Sequence, residues 1–152
     1  MPTVIATWCE QAGHNVHYIC FTGFEDLRKE LPLSVDLVFI GSFTQSAYLA
    51  YALSNMLRSR GAVTVLGGPH ARCFPDDAVN YFDYVLGFTD KTLVINLLEN
   101  FEPGRPNGNY FSAAKQPTSL PSVIERWKFI ELNLRKAPVM KIIGMIGSMG
   151  CP

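Results

Sequence analysis

Two periods of hydrophobic and polar positions alternate along the chain. Near-continuous apolar runs rich in β-branched residues, NVHYICF (15–21), VDLVFIG (35–41), AVTVLGG (62–68) and DYVLG (83–87), read as strands. Between them the apolar residues recur at three- and four-residue spacing. This predicts helices over Pro2–Ala12, Phe24–Glu30, Gln45–Arg60, Asp76–Tyr81 and Lys91–Asn100. In the third helix Tyr48, Leu49, Ala52, Leu53, Met56 and Leu57 share one face, Ser42 and Gln45 stand in the relation of a capping box, and Arg58, Arg60 and Gly61 supply a favoured carboxyl end. Apolar strands joined by helix-length connections require a helix to cross the sheet each time, so the expected fold is α/β with a doubly wound parallel sheet.

The pattern changes after Asn100. Residues 101–122 hold four of the ten prolines and no apolar periodicity, as a linker does. The expected organisation is therefore an α/β domain over 1–100, a linker over 101–122, and a helix ending before Pro138 followed by the strand-like VMKIIGMIGS as the start of a second domain over 123–152. A doubly wound fold opens on a strand, whereas this chain opens on Pro2 in the first turn of a helix. The first strand, which lies mid-sheet in a flavodoxin-like order of 2-1-3-4-5, is thus expected to be missing. Residues 138–146, from the same or a neighbouring chain, are the expected occupant of that slot, which makes a homodimer through them an expectation. At the other end, GSMGCP follows directly on an apolar run, and the halt reads as a cut.

Composition narrows the function classes. Thirteen Lys and Arg balance thirteen Asp and Glu, so no basic excess points to nucleic acid or an anionic membrane. The most apolar helical stretch, Ala47–Leu57, is far shorter than the roughly 20 residues of a membrane span. No secretory signal opens the chain, and Cys9, Cys20, Cys73 and Cys151 lack the spacing of a disulfide framework, which together predict a cytoplasmic protein with free thiols. Cys9, His14, His17 and Cys20 form C-x4-H-x2-H-x2-C. On a strand His17 and Cys20 would face opposite sides, against the convergence that zinc requires.

In open parallel sheets ligands bind beyond the carboxyl ends of the strands. That singles out GSFT (41–44), GGPHARCF (67–74) and GFTD (87–90), each opening on glycine. Gly67 and Gly68 remove two side chains at one strand end and allow close backbone approach to a bulky or flat ligand, or simply a tight turn before Pro69. Neither G-x-G-x-x-G nor G-x-x-x-x-G-K-[ST] occurs, and GSFT carries no cation, which disfavours a nucleotide. His70 projects from the glycine-rich strand end, where a local hydrogen-bonding role competes with that of a ligand or base.

The run VDLVFIGSFTQSAYLAYALSNMLRSRGAVTVLGGPHARCFPDDAVNYFDYVLG resembles the cobalamin-binding domain that precedes the catalytic barrel in many radical S-adenosylmethionine enzymes. The likeness covers most of residues 10–100 and is most specific in G-G-P-H at 67–70 and D-Y-V-x-G at 83–87. It implies a flavodoxin-like fold of the cobalamin-binding type. By the same resemblance Gly41, Ser42, Phe43 and Thr44 would lie along the nucleotide tail of the cofactor, Gly67 and Gly68 beside it, and Pro69, His70 and Gly87 along the same edge. Cys151 would be the first cysteine of C-x-x-x-C-x-x-C, a ligand of a 4Fe-4S cluster in the parent protein only, where S-adenosylmethionine would also bind. A small-molecule substrate, hydrophobic or tetrapyrrole-like, and the protein's own barrel are the implied partners, in a methyltransferase or an anaerobic cyclase. Two departures stand out. The family's acidic pair after D-Y-V-x-G is replaced by FTDKT, and D-x-H-x-x-G would lie in a stretch this chain does not contain. A cofactor-free scaffold of the same fold, or a flavin-binding or signalling flavodoxin-like domain, remain alternatives.

Overall fold

A computed structural model describes residues 1–21, 23–102, 108–117 and 119–136. Four strands, β1 (Leu37–Gly41), β2 (Val63–Gly67), β3 (Tyr84–Leu86) and β4 (Asn109–Phe111), form one parallel sheet in the order β1-β2-β3-β4. The helices are α1 (Pro2–Gln11), α2 (Leu27–Glu30), α3 (Ala47–Arg58), α4 (Pro69–Cys73), α5 (Pro75–Ala78), α6 (Lys91–Asn100) and α7 (Trp127–Lys136). The chain is α/β with a doubly wound sheet, as its alternating periods predict.

Alternation along the strands explains why helices cover both faces. Leu66 and Val85 point to one side, where Ala47, Ala50 and Tyr51 of α3, Ala71, Ala78 and Phe82 complete a cluster. Val63, Val65, Tyr84 and Leu86 point to the other and meet Leu97 of α6. α1 extends that second layer, packing Val4, Trp8 and Cys9 against Val94 of α6 and Phe39 of β1. Burial pushes the Cys9 thiol up to about 11. Asp90 starts α6 by accepting a 2.8 Å hydrogen bond from the Leu93 amide, as an N-cap should.

Residues 15–21, expected to be a strand, form none. Their neighbour is a helix: Tyr18 lies 5.2 Å from Phe129 of α7 between ring centroids, and Asn133 Nδ2 donates to the Tyr18 hydroxyl. Without a strand beside it, an alternating sequence has no ladder to join. Cys9 belongs to the core, His17 Nε2 lies 2.7 Å from the Glu30 carbonyl, and no three His, Cys, Asp or Glu side chains among the described residues are grouped to hold a metal ion.

Conversely, Asn109–Phe111 falls inside the segment expected as a linker, yet it pairs with β3. β1 ends the sheet on the other side, and among the described residues it pairs with β2 alone. Its residues are only half-buried, whereas Val63–Leu66 of β2 are fully buried. Residues 138–146, the expected occupant of that open edge, and Cys151 lie outside the described residues. Among the described residues no helix is long and apolar enough to cross a membrane.

Candidate functional site

The three glycine-led loops converge at the carboxyl edge of the sheet, as parallel pairing in register requires: Gly41 is aligned with Gly67, and Leu66 with Val85. Backbone bonds stitch the first two loops together. The Ser42 amide donates to Gly67 O at 3.1 Å, and the His70 amide donates to Ser42 O at 3.2 Å.

The four glycines at this edge lack side chains for different reasons. Gly68 has φ +98°, and a Cβ there would stand 2.8 Å from Ser42 O and 3.2 Å from Ser42 N. A Cβ on Gly87 would run into the Tyr110 hydroxyl and Ser112 Oγ, side chains of the neighbouring strand β4 and the residue after it. Gly41 lies under Pro2, with 3.3 Å available. Only Gly67 opens onto free space, with no atom within 4 Å of an added Cβ. The close backbone approach read from the glycine pair is internal at Gly68 and outward at Gly67.

Ser42 is buried, but it does not cap the third helix. A 3-10 turn over Thr44–Ser46 intervenes, α3 begins at Ala47, and no side-chain cap forms at either start. Ser42 Oγ instead donates to Phe43 O at 2.9 Å and lies 3.1 Å from Ser46 Oγ. The effect is to hold the loop shut on itself, with Phe43 turned out and 66% exposed.

A groove of about 1780 Å³ runs from the open edge of β1 to this carboxyl edge. Gly41, Ser42, Phe43, Gly67, Gly68, Pro69 and Gly87 all line it; Thr44 and His70 do not. Two further residues join at the same end: Phe88 and Arg72, whose guanidinium lies over the Phe88 ring, 5.3 Å from its centroid. The walls are mostly apolar and the polar groups few, the usual make-up of a small-molecule site, and the volume exceeds that of an ordinary drug-sized pocket.

His70 faces inward. It is 4% exposed, with Nε2 2.6 Å from the Tyr51 hydroxyl and Nδ1 3.4 Å from Thr44 Oγ1. Tyr51 donates to Asp77 Oδ2 at 2.7 Å. A carboxylate only accepts, so the phenol proton points at Asp77 and its oxygen takes the proton of His70 Nε2. In a neutral imidazole that leaves Nδ1 as the acceptor toward Thr44, so the chain of donors and acceptors selects the Nε2–H tautomer. Burial, followed by the bond to Asp77, raises the ionisation of Tyr51 above the usual tyrosine range. Tyr81 stacks on Tyr51 at 4.0 Å between centroids, completing the support. Tyr51 and Asp77 carry no sequence signal of this role, because 26 residues separate them. Arg72 sits inside GGPHARCF, so a cation close to the glycine pair is legible in the sequence.

The aspartate of D-Y-V-x-G is structural. Asp83, 2% exposed, accepts from the Thr64 amide at 2.8 Å and from Thr64 Oγ1 at 3.0 Å, and pairs with Arg58 at 3.3 Å. It ties the start of β3 to β2 at the end of the sheet away from the groove's glycines.

No family model matches the chain, and no solved structure matches it. Among curated proteins it is similar to a bacteriochlorophyllide d C-8(2)-methyltransferase of Chlorobaculum tepidum, with 28% identity over 118 residues, which is 77% of this chain and 26% of that protein. The chain thus spans about a quarter of the length of the curated relative it matches.

Proposed function

We propose that the chain is a corrinoid-binding module of a radical S-adenosylmethionine enzyme that transfers a methyl group. The observation that carries the reading is the groove at the carboxyl edge, where Gly67 alone leaves open space in front of the strand ends. The resemblance of GGPHARCFPDDAVNYFDYVLG to cobalamin-binding domains supports the same ligand, and the name of the similar protein supports methyl transfer to a tetrapyrrole-like substrate. The iron–sulfur cluster and S-adenosylmethionine belong, on this reading, to a barrel that the parent protein supplies.

The residues present suit so large and flat a ligand. Gly67 lets it approach the backbone, Phe43 and Phe88 offer exposed rings to its apolar surface, the two stitched loops hold Gly67 and Phe43 in place, and the Phe88 amide donates to Ser112 Oγ at 3.0 Å. A bound corrinoid would supply the chemistry of a cobalt-centred methyl carrier. The chain's own contribution is to bind it, orient it and exclude water from one side. His70, joined to Tyr51 and facing away from the groove, is a positioning residue that fixes Thr44 and the 67–70 turn relative to one another. Hydroxocobalamin mixed with the purified protein and passed through gel filtration tests the reading. Visible corrin absorption should travel with the protein at one equivalent; colourless protein would favour the cofactor-free scaffold.

A further inference from the structure

Charge is scarce along the groove. Of the charged side chains that line it, Asp36 precedes β1 at the far end of the strand, and Arg126 Nε donates to Pro121 O at 2.9 Å and Ser122 O at 3.3 Å. Arg72 is the third, and it stands at the carboxyl edge beside Gly67, Gly68 and Phe88. Two carboxylates of the adjoining segments are engaged elsewhere: Asp77 accepts from Tyr51, and Asp90 caps α6. Among the described residues Arg72 forms neither an ion pair nor a hydrogen bond, and its contact is with the Phe88 ring.

That contact engages the π-face of the ring with the cation while leaving the five in-plane N–H donors of a guanidinium available. An arginine held this way is pre-organised for a bidentate oxyanion, with less side-chain freedom to lose on binding than an unsupported one. We infer that Arg72, held over Phe88, is an oxyanion subsite at the carboxyl edge of the groove, and that it receives the phosphodiester of a corrinoid's nucleotide arm. The second half rests on the corrinoid reading above; the first does not.

Two titrations separate the halves. Inorganic phosphate, followed by NMR of the arginine Nε–H signals with Arg72 assigned through its loss in Arg72→Gln, should shift the Arg72 signal saturably and leave exposed Arg60 still. No shift, or an equal shift at both, would overturn the subsite. Cobalamin and cobinamide, which lacks the nucleotide arm, test the ligand. Arg72→Gln should weaken cobalamin binding about tenfold, the worth of a charge-assisted hydrogen bond, and leave cobinamide binding unchanged. Equal losses for both corrinoids would assign Arg72 to packing on Phe88 and overturn the phosphodiester. If the wild-type protein retained neither corrinoid, the corrinoid reading and its phosphodiester would fall together, while the phosphate titration would still decide the subsite.

Discussion

The backbone of Ser42 fills the space that a side chain on Gly68 would need: a Cβ there would lie 2.8 Å from Ser42 O, on a residue with φ +98°. Its neighbour Gly67 has no atom within 4 Å of the same position. Two adjacent glycines therefore answer different demands, one of the fold and one of the space outside it.

Alanine at the two positions should separate these demands. Gly68→Ala combines left-handed strain with a backbone clash and should cost about 2 kcal/mol or more. Gly67→Ala should fall within about 0.5 kcal/mol of the wild type. Urea unfolding of both variants measures the difference, and equal losses would show that Gly67 is also packed.

Tyr51 should govern part of the alkaline stability. Its ionisation is raised in the folded state by burial and by Asp77, so the unfolded chain loses its phenolic proton first as pH rises. The stabilisation is complete below about pH 10 and is lost above it, at up to about 1.4 kcal/mol per pH unit. Tyr51→Phe should flatten that limb in unfolding midpoints taken between pH 9 and 11. At neutral pH it should cost about 1–3 kcal/mol, since buried His70 loses its partner. An unchanged alkaline slope would remove Tyr51 from this role.

Cys9 adds an earlier limb to the same curve. With the thiol pushed up to about 11 by burial, its contribution is intact below the ordinary thiol range and disappears as pH rises toward that value. Cys9→Ala should flatten the fall between about pH 9 and 11, and combining it with Tyr51→Phe should flatten it further.

Asp83→Ala removes the buried acceptor of the Thr64 amide and a carboxylate 3.3 Å from Arg58 and should cost roughly 1.5–3 kcal/mol, with the fold destabilised and the groove unaltered. Unfolding midpoints read the loss. A variant that kept its stability would contradict the structural role given to this aspartate.

What the sequence makes legible is whatever a local period encodes. β1, β2 and β3 and the helices α1, α3 and α6 stand where apolar runs and three-to-four spacing place them. Residues 15–21 have the alternation of a strand but meet the aromatic face of α7, and β4 has no apolar run but meets β3; both outcomes depend on tertiary neighbours. At the site, the glycines announce a crowded strand end without saying what crowds it. Ser42 and Gln45 match a capping pattern, yet a 3-10 turn moves the helix start beyond their reach. The inward turn of His70 depends on Tyr51 and Asp77, distant in sequence, and no motif spells it out.

The measurement that bears most directly on the account is a pair of hydroxocobalamin titrations, of the wild-type protein and of Gly67→Val, each beside its urea unfolding curve. Valine at this position suits a strand end, its Cβ has no atom of the protein within 4 Å, and it projects into the space assigned to the corrinoid. The account predicts one bound corrinoid in the wild type, binding about tenfold weaker or worse in the variant, and coincident unfolding midpoints. Equal binding by the two proteins, or none by the wild type, would contradict it.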